Sequence, residues 1–256
     1  MALDHLHSFM LYSSREFPPI EEQAATLAAL GYTNVETFPD LYEDLARTKV
    51  AFDRHGLKVD SMHSDLHTME RDLDETVRVA QTLGASIVVA PWLEPEDRPV
   101  DAAGWQALGE RLGALARQLK EKGLLLAWHN HDFEFVALAD GSMPIEHLLD
   151  QPDVWLELDA AWVYRAGADP VFWVEKLSDR ILIGHVKDVA PKGIHLDEDG
   201  WTDVGQGEVP WETLWPLYMA SPARLMIVEH DQPSDYRRFA ERSATEVRSL
   251  ARGETA

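Results

Sequence analysis

Four apolar runs from residue 124 onward end in side chains able to hold a metal ion or carry a proton. Residues 124–128 run into His129-Asn130-His131-Asp132-Phe133-Glu134, and residues 155–158 end in Asp159. Residues 181–184 end in His185-Val186-Lys187-Asp188, and residues 225–228 end in Glu229-His230-Asp231. Mixed imidazole and carboxylate ligands suit Mn²⁺, Co²⁺, Fe²⁺, Zn²⁺ or Mg²⁺, and residue type does not choose among them. Taken singly, a strand-end Asp is more often a helix cap and a lone His more often a packing residue. Placed together at the carboxyl ends of neighbouring parallel strands, the same residues converge on one axis, where a (β/α) barrel keeps its chemistry. The first of the four runs offers His129, His131 or Glu134.

The elements that would carry these residues follow from punctuation and periodicity. A helical stretch, a glycine and an apolar strand recur at Leu30-Gly31-Tyr32, His55-Gly56-Leu57, Leu83-Gly84-Ala85 and Lys122-Gly123-Leu124. Glycine after a helix accepts the left-handed conformation that ends it, and such alternation points to a parallel sheet. Strands are expected at 5–11, 33–38, 57–63, 86–90, 124–128 and 225–228, and over the runs ending in Asp159 and His185. Helices are expected after Pro18-Pro19, at about 41–55, through Leu73 to Leu83, through Trp105 to Leu119, after a Ser142 cap, after Asp169-Pro170, near 210–219, and through Tyr236 to Leu250. Eight strands and eight helices in 256 residues predict an α/β fold, a single (β/α)8 TIM-barrel domain over 1–256, for which roughly 250 residues is typical. The polar, glycine-rich stretch 190–210 is long for a βα loop, and such loops tend to be functional.

Lys and Arg number 23 against 45 Asp and Glu, a net charge of −22. That field repels phosphate backbones and anionic membranes and favours cations, so neither nucleic acid nor membrane is expected as a partner. With no cysteine, thiolate chemistry and disulfides are excluded. The first residues lack a basic, apolar leader and no run reaches the ~18 residues of a membrane span, so a cytoplasmic protein is expected.

Gly184-His185-Val186-Lys187-Asp188, the run His129 to Phe135, Glu157-Leu158-Asp159 with Ala166-Gly167-Ala168-Asp169-Pro170, Val204-Gly205-Gln206-Gly207-Glu208 and Ile227-Val228-Glu229 together resemble the sugar phosphate isomerase/epimerase family. This is the group of xylose isomerase-like barrels that includes D-tagatose 3-epimerase and inosose dehydratase. The resemblance spans nearly the whole chain and implies one divalent metal ion, manganese among the candidates, held by Glu, Asp, His and Glu at the ends of strands 5 to 8. Asp159, His185 and Glu229 match three of these. Glu134 is taken as the first ligand, with His129 and His131 as substitutes or substrate contacts, because the place nearer the strand end holds Trp128 and His129. The resemblance further implies a small carbohydrate substrate and homodimers or homotetramers.

In such a site a metal that chelates adjacent hydroxyl and carbonyl oxygens acidifies the intervening C–H, and two carboxylates, Glu134 and Glu229, would remove and return the proton. The leading expectation is therefore an isomerase or epimerase acting on a sugar or keto-sugar. Expulsion of a β-hydroxyl from the same enolate would make a dehydratase or lyase, a hydrolase on a keto-sugar or keto-inositol shares the site, and a sugar-binding barrel without turnover is a further alternative. An abasic-site endonuclease of the same superfamily is disfavoured by the charge. Trp162 stands where the ketose epimerases have a substrate-contacting His, and Trp128, Trp162 and Trp201 are expected either to wall the pocket or to pack between barrel and helices. Lys187 either holds a substrate oxygen or pairs with Asp188 or Glu157. His63 is divided between substrate contact and packing, and Glu36 between the barrel interior and its rim. Arg15, Lys187 and Lys192 leave a phosphorylated substrate open without favouring it.

Overall fold

A computed structural model describes residues 8–254. Eight short parallel strands form one sheet: β1 (Ser8–Met10), β2 (Asn34–Glu36), β3 (Ser61–His63), β4 (Ile87–Ala90), β5 (Leu125–His129), β6 (Val154–Asp159), β7 (Ile181–Val186) and, beyond a hairpin of β8 (Asp188–Val189) with β9 (Trp201–Thr202), β10 (Leu225–Val228). Their order is β2-β1-β10-β7-β6-β5-β4-β3. The sheet curls until its edge strands meet: Val35 N–H donates to the Lys58 carbonyl and His63 N–H to the Thr37 carbonyl, 2.9 and 2.8 Å, with bridges Asn34 to Lys58 and Thr37 to Met62. The result is a nearly closed TIM barrel.

Register sets the site. Parallel pairing aligns Asp159 with His185, His185 with Ile227, and His129 with Glu157. The β6–β7 pairing shifts between Leu156 and Glu157, and successive side chains on a strand face opposite ways, so Glu157 and Asp159 lie on the same face of β6. The other face carries Leu156 and Leu158 into the buried hydrophobic core.

The helices follow their local signals. Helix Ala102–Glu121 starts where the Asp101 carboxylate accepts from Gly104 N–H, and helices Leu45–His55 and Leu73–Leu83 stop at Gly56 and Gly84, whose φ of 70° and 89° are left-handed, a conformation glycine adopts without strain. Helix Trp211–Ala220 comes so close to β7 that a Cβ on Gly184 would stand 2.7 Å from the Tyr218 ring.

Several boundaries differ from the sequence expectation. Of the expected strand 5–11, residues 5–7 lie outside the described residues, Ser8–Met10 form β1, and Leu11 already begins a 3-10 turn. Helices Leu66–Arg71 and Ala160–Arg165 are additional to the expected set, and Asp65 and Asp159 each cap one. Ser142 is not a cap, since its hydroxyl bonds Asp140 and His147 while the short helix Pro144–Leu148 begins from Met143. The stretch 190–210 is not structureless. Beyond the hairpin it carries a 3-10 turn at Leu196–Glu198.

Candidate metal centre

At the carboxyl end of the barrel, His129, Asp159, His185 and Glu229 bring one potential ligand atom each to within 4.8 Å of one another. All four are buried. Asp159 does two jobs with two oxygens: Oδ1 accepts from Ala161 N–H and Trp162 N–H at 2.8 and 2.9 Å, capping the helix that follows, while Oδ2 is buried without a hydrogen-bond partner. His185 Nδ1 lies 3.0 Å from Glu229 Oε2, and its Nε2 lies 2.9 Å from Glu36 Oε2. A ring fixed through both nitrogens has one orientation, as metal-ligating histidines usually do.

Lys187 is the cation already present. Its buried ammonium donates to Glu229 Oε2 at 3.0 Å and Asp231 Oδ1 at 2.6 Å, stands 3.7 Å from Asp159 Oδ2, and lies over the Trp162 and Trp201 rings at 5.1 and 4.4 Å. Burial alone would lower its pKa, but the carboxylates of Asp231, Glu229 and Asp159 outweigh this and raise it, so it stays charged. Burial likewise pushes Glu229 up, and Lys187 and His185 more than reverse it, holding Glu229 well below the usual carboxylate range. Burial prevails at Asp159, whose pKa is raised despite Lys187, and at His131, whose pKa is depressed by burial and by the neighbouring His129 and Lys187, leaving a neutral imidazole.

The expected ligand Glu134 is not in this group, and strand alternation explains it. Trp128 and His129 are neighbours on β5 and point to opposite faces. His129 faces the barrel axis, and Trp128 points away, donating its Nε1–H to Glu134 Oε1 at 2.8 Å. The turn Phe133–Phe135 folds Glu134 under the strand end, where Oε2 accepts from His131 N–H at 2.8 Å. Burial pushes the Glu134 carboxyl up to about 8 against those two bonds. His129 occupies the fourth position, and Glu134, not a lining residue of the cavity, does not face Glu229 across it.

A cavity of about 530 Å³ opens above this group, lined by His63, His129, His131, Trp162 and Glu229 among the expected residues, and by Tyr12, Phe38, Trp92 and Asp231. Trp128 is fully buried against Glu134, and Trp201 packs edge-on against Trp162 at 4.7 Å, so neither walls the cavity. Lys187 pairs with Glu229 and Asp231, not with Asp188 or Glu157. Lys192 is exposed and away from the cavity, whereas Arg15 lines it, held by the Tyr12 and Asp231 carbonyls. Asp188 serves the loop. Its carboxylate accepts from the backbone N–H groups of Val189, Gly205, Gly207 and Val209, an arrangement a Cβ on Gly207 would obstruct at 2.2 Å.

Glu36 and Glu157 are fully buried, which places Glu36 in the barrel interior and not on its rim; neither was expected in the metal set. Glu157 Oε2 lies 2.9 Å from His63 Nε2, 3.1 Å from His129 Nδ1 and 3.2 Å from His185 Nε2. The signal that could have found it is its place two residues before Asp159 on one strand face. The donor set of imidazoles and carboxylates, with Asp159 Oδ2 without a hydrogen bond and only the Lys187 ammonium 3.7 Å away, fits a divalent transition-metal ion.

A family model described as xylose isomerase-like TIM barrel matches residues 24–242. The chain belongs to that family. Among proteins similar to this xylose isomerase-like barrel is the inosose dehydratase of Clostridium beijerinckii, 22% identical over 188 residues, which are 66% of this chain and 63% of that protein. The match thus spans less than two thirds of that relative's length. A sugar phosphate isomerase/epimerase from Parabacteroides distasonis superposes with a TM-score of 0.77 at 21% identity, over 93% of this chain and 91% of that one. The IolI protein with a bound zinc atom superposes with a TM-score of 0.72 at 17% identity, over 95% of each chain. At these identities the structural neighbours establish the fold.

Proposed function

We propose that this chain is a divalent-metal-dependent enzyme that removes the proton next to the carbonyl of an uncharged keto-polyol and expels a β-hydroxyl as water, a dehydratase of keto-sugars or keto-inositols. The observation that carries the reading is the buried donor set His129, Asp159, His185 and Glu229, two members of which, His129 and Glu229, line the cavity. When bound there, a divalent ion supplies Lewis-acid polarisation of carbonyl and hydroxyl oxygens, which acidifies the adjoining C–H.

The remaining work falls to side chains. His131 lines the cavity and its Nδ1 is buried without a partner, which suits it to accept the carbon-bound proton and return one to the departing hydroxyl. Lys187 locks Glu229 and Asp231 in place through charge-assisted bonds. Trp92 and Trp162 offer apolar faces to the C–H faces of a polyol and exclude water from the proton transfer. Among the described residues, Arg15 is the one Lys or Arg lining the cavity, against the carboxylates of Asp40, Glu94, Glu229 and Asp231. That balance favours a neutral substrate over a phosphorylated one.

The similarity to sugar phosphate isomerase/epimerases supports a second reading, isomerisation or epimerisation by the same proton abstraction. It calls for an acid–base group on the opposite face, a part assigned from the sequence to Glu134, which is turned away. The test is incubation with keto-inositols and ketoses in the presence of Mn²⁺, Co²⁺ or Zn²⁺, read by mass spectrometry in deuterated water. Loss of one water from a keto-polyol is the expected result. A product of unchanged formula that carries solvent deuterium favours the second reading, and absence of either product across the panel contradicts both.

A further inference from the structure

A second set of donors lies one layer deeper in the barrel. Glu36 from β2, His63 from β3, Glu157 from β6 and His185 from β7 also bring one atom each to within 4.8 Å of one another. Four contacts join them: Glu36 Oε2 to His63 Nε2 at 3.2 Å and to His185 Nε2 at 2.9 Å, and Glu157 Oε2 to the same two nitrogens at 2.9 and 3.2 Å. All four side chains are buried, three of them completely.

Counting protons shows what hydrogen bonding leaves undone. Each Nε2 carries at most one hydrogen, so two imidazoles can direct two N–H groups into four short N···O contacts. The other oxygens, Glu36 Oε1 and Glu157 Oε1, are buried with no partner at all. Two carboxylates drawn this close in a dry interior repel each other unless a positive charge lies between them. A single cation would satisfy all four contacts at once. Ligand atoms about 2.0–2.1 Å from a tetrahedral centre stand about 3.3 Å apart, and the observed 2.9–3.2 Å separations are close to those edges.

We propose that Glu36, His63, Glu157 and His185 form a second divalent-cation site sharing His185 with the first, so that the chain takes two ions. The proposal rests on the metal-centre reading of the outer group and adds to it a four-coordinate set of two imidazoles and two carboxylates, the chemistry of Zn²⁺ or Co²⁺. His185 presents Nδ1 to Glu229 and Nε2 to Glu36 and Glu157. To hold an ion on each nitrogen the ring gives up its one N–H proton to solvent, and His63 keeps its own on Nδ1. The inner ion then ties β2, β3, β6 and β7 together and fixes the ring that serves the outer one.

The experiment is metal content per chain after saturation of the full-length protein with Zn²⁺ and removal of loose metal by gel filtration, measured by plasma mass spectrometry. Crystals of the same sample give anomalous-difference maps at the zinc edge. The wild type is expected to hold two equivalents and to show two peaks. Glu36→Gln and His63→Ala are each expected to lose one equivalent and the inner peak, and Asp159→Asn to lose the outer. One equivalent that survives Glu36→Gln and His63→Ala but not Asp159→Asn overturns the second site and leaves the first standing. A wild type that holds only one equivalent, and keeps it in Asp159→Asn, overturns the two-ion proposal by making the inner group the sole site, and no bound zinc overturns both. The wild-type map decides independently of whether any variant folds.

Discussion

Asp159 shows how much of a site one side chain can carry. With Oδ1 capping helix Ala160–Arg165 and Oδ2 without a hydrogen-bond partner, its two functions can be separated by substitution. Asp159→Asn keeps an oxygen for the cap and removes the charge, so metal affinity should fall at least tenfold with little loss of stability. Asp159→Ala should lose the metal and a further ~1 kcal/mol for the cap. Titration calorimetry and thermal melts of the two variants check this. Glu134→Gln has the opposite signature. An amide nitrogen facing the N–H of Trp128 or His131 should cost about 1–3 kcal/mol, while metal content stays at the wild-type value. At this scale Asp159, His185 and Glu229 were legible because each ends an apolar run. Glu134 was preferred over His129 because the resembling family implies a Glu as the first ligand after strand 5, and the strand alternation that turns Trp128 and Glu134 outward emerges only once β5 is seen to end at His129.

Among the elements, the stretch between β8 and helix Trp211–Ala220 is pinned by charge. Glu198 accepts both a bidentate pair from Arg238 at 2.9 and 3.0 Å and the Ser234 backbone N–H at 2.8 Å, joining its 3-10 turn to helix Tyr236–Arg252. Burial pushes the Glu198 carboxyl up, but the Ser234 and Arg238 bonds outweigh it and hold it at about 2. A carboxylate depressed on folding stabilises the folded state above its free value, near 4.3, and forfeits that contribution as pH falls toward the folded value. Between about pH 4.5 and 2 the wild type should therefore lose stability more steeply than Glu198→Gln, a difference that acid melts followed by circular dichroism would register. If the two curves run parallel, the bridge contributes nothing. The sequence showed this stretch as polar and glycine-rich but not as ordered, since the partners of Glu198 lie some forty residues away. The long helices, by contrast, announced themselves through local periodicity and glycine stops, whereas the short ones at Leu66–Arg71 and Ala160–Arg165 have too few turns to display any period.

For the molecule as a whole, alternation of helix and strand was enough to read a barrel, and the barrel was enough to gather Asp159, His185 and Glu229. The inner pair Glu36 and Glu157 went unassigned because their meaning depends on the inter-strand register, which no local pattern encodes. No helix among the described residues is long and apolar enough to cross a membrane. A barrel whose strands converge on buried carboxylates should depend on its cation for stability. At a metal concentration about 100 times Kd the linkage is about 2.7 kcal/mol, which for a chain of this size corresponds to a Tm change on the order of 5–10 °C. Scanning calorimetry with and without a chelator should show a drop of that size, and an unchanged Tm would argue that the folded state needs no ion. The most direct measurement is an anomalous-difference map from crystals grown with Mn²⁺ or Zn²⁺, collected at the metal's edge. The account predicts a peak within coordinating distance of His129, Asp159, His185 and Glu229. A saturated crystal with no peak there, or with its only peak beside Glu134, would contradict it.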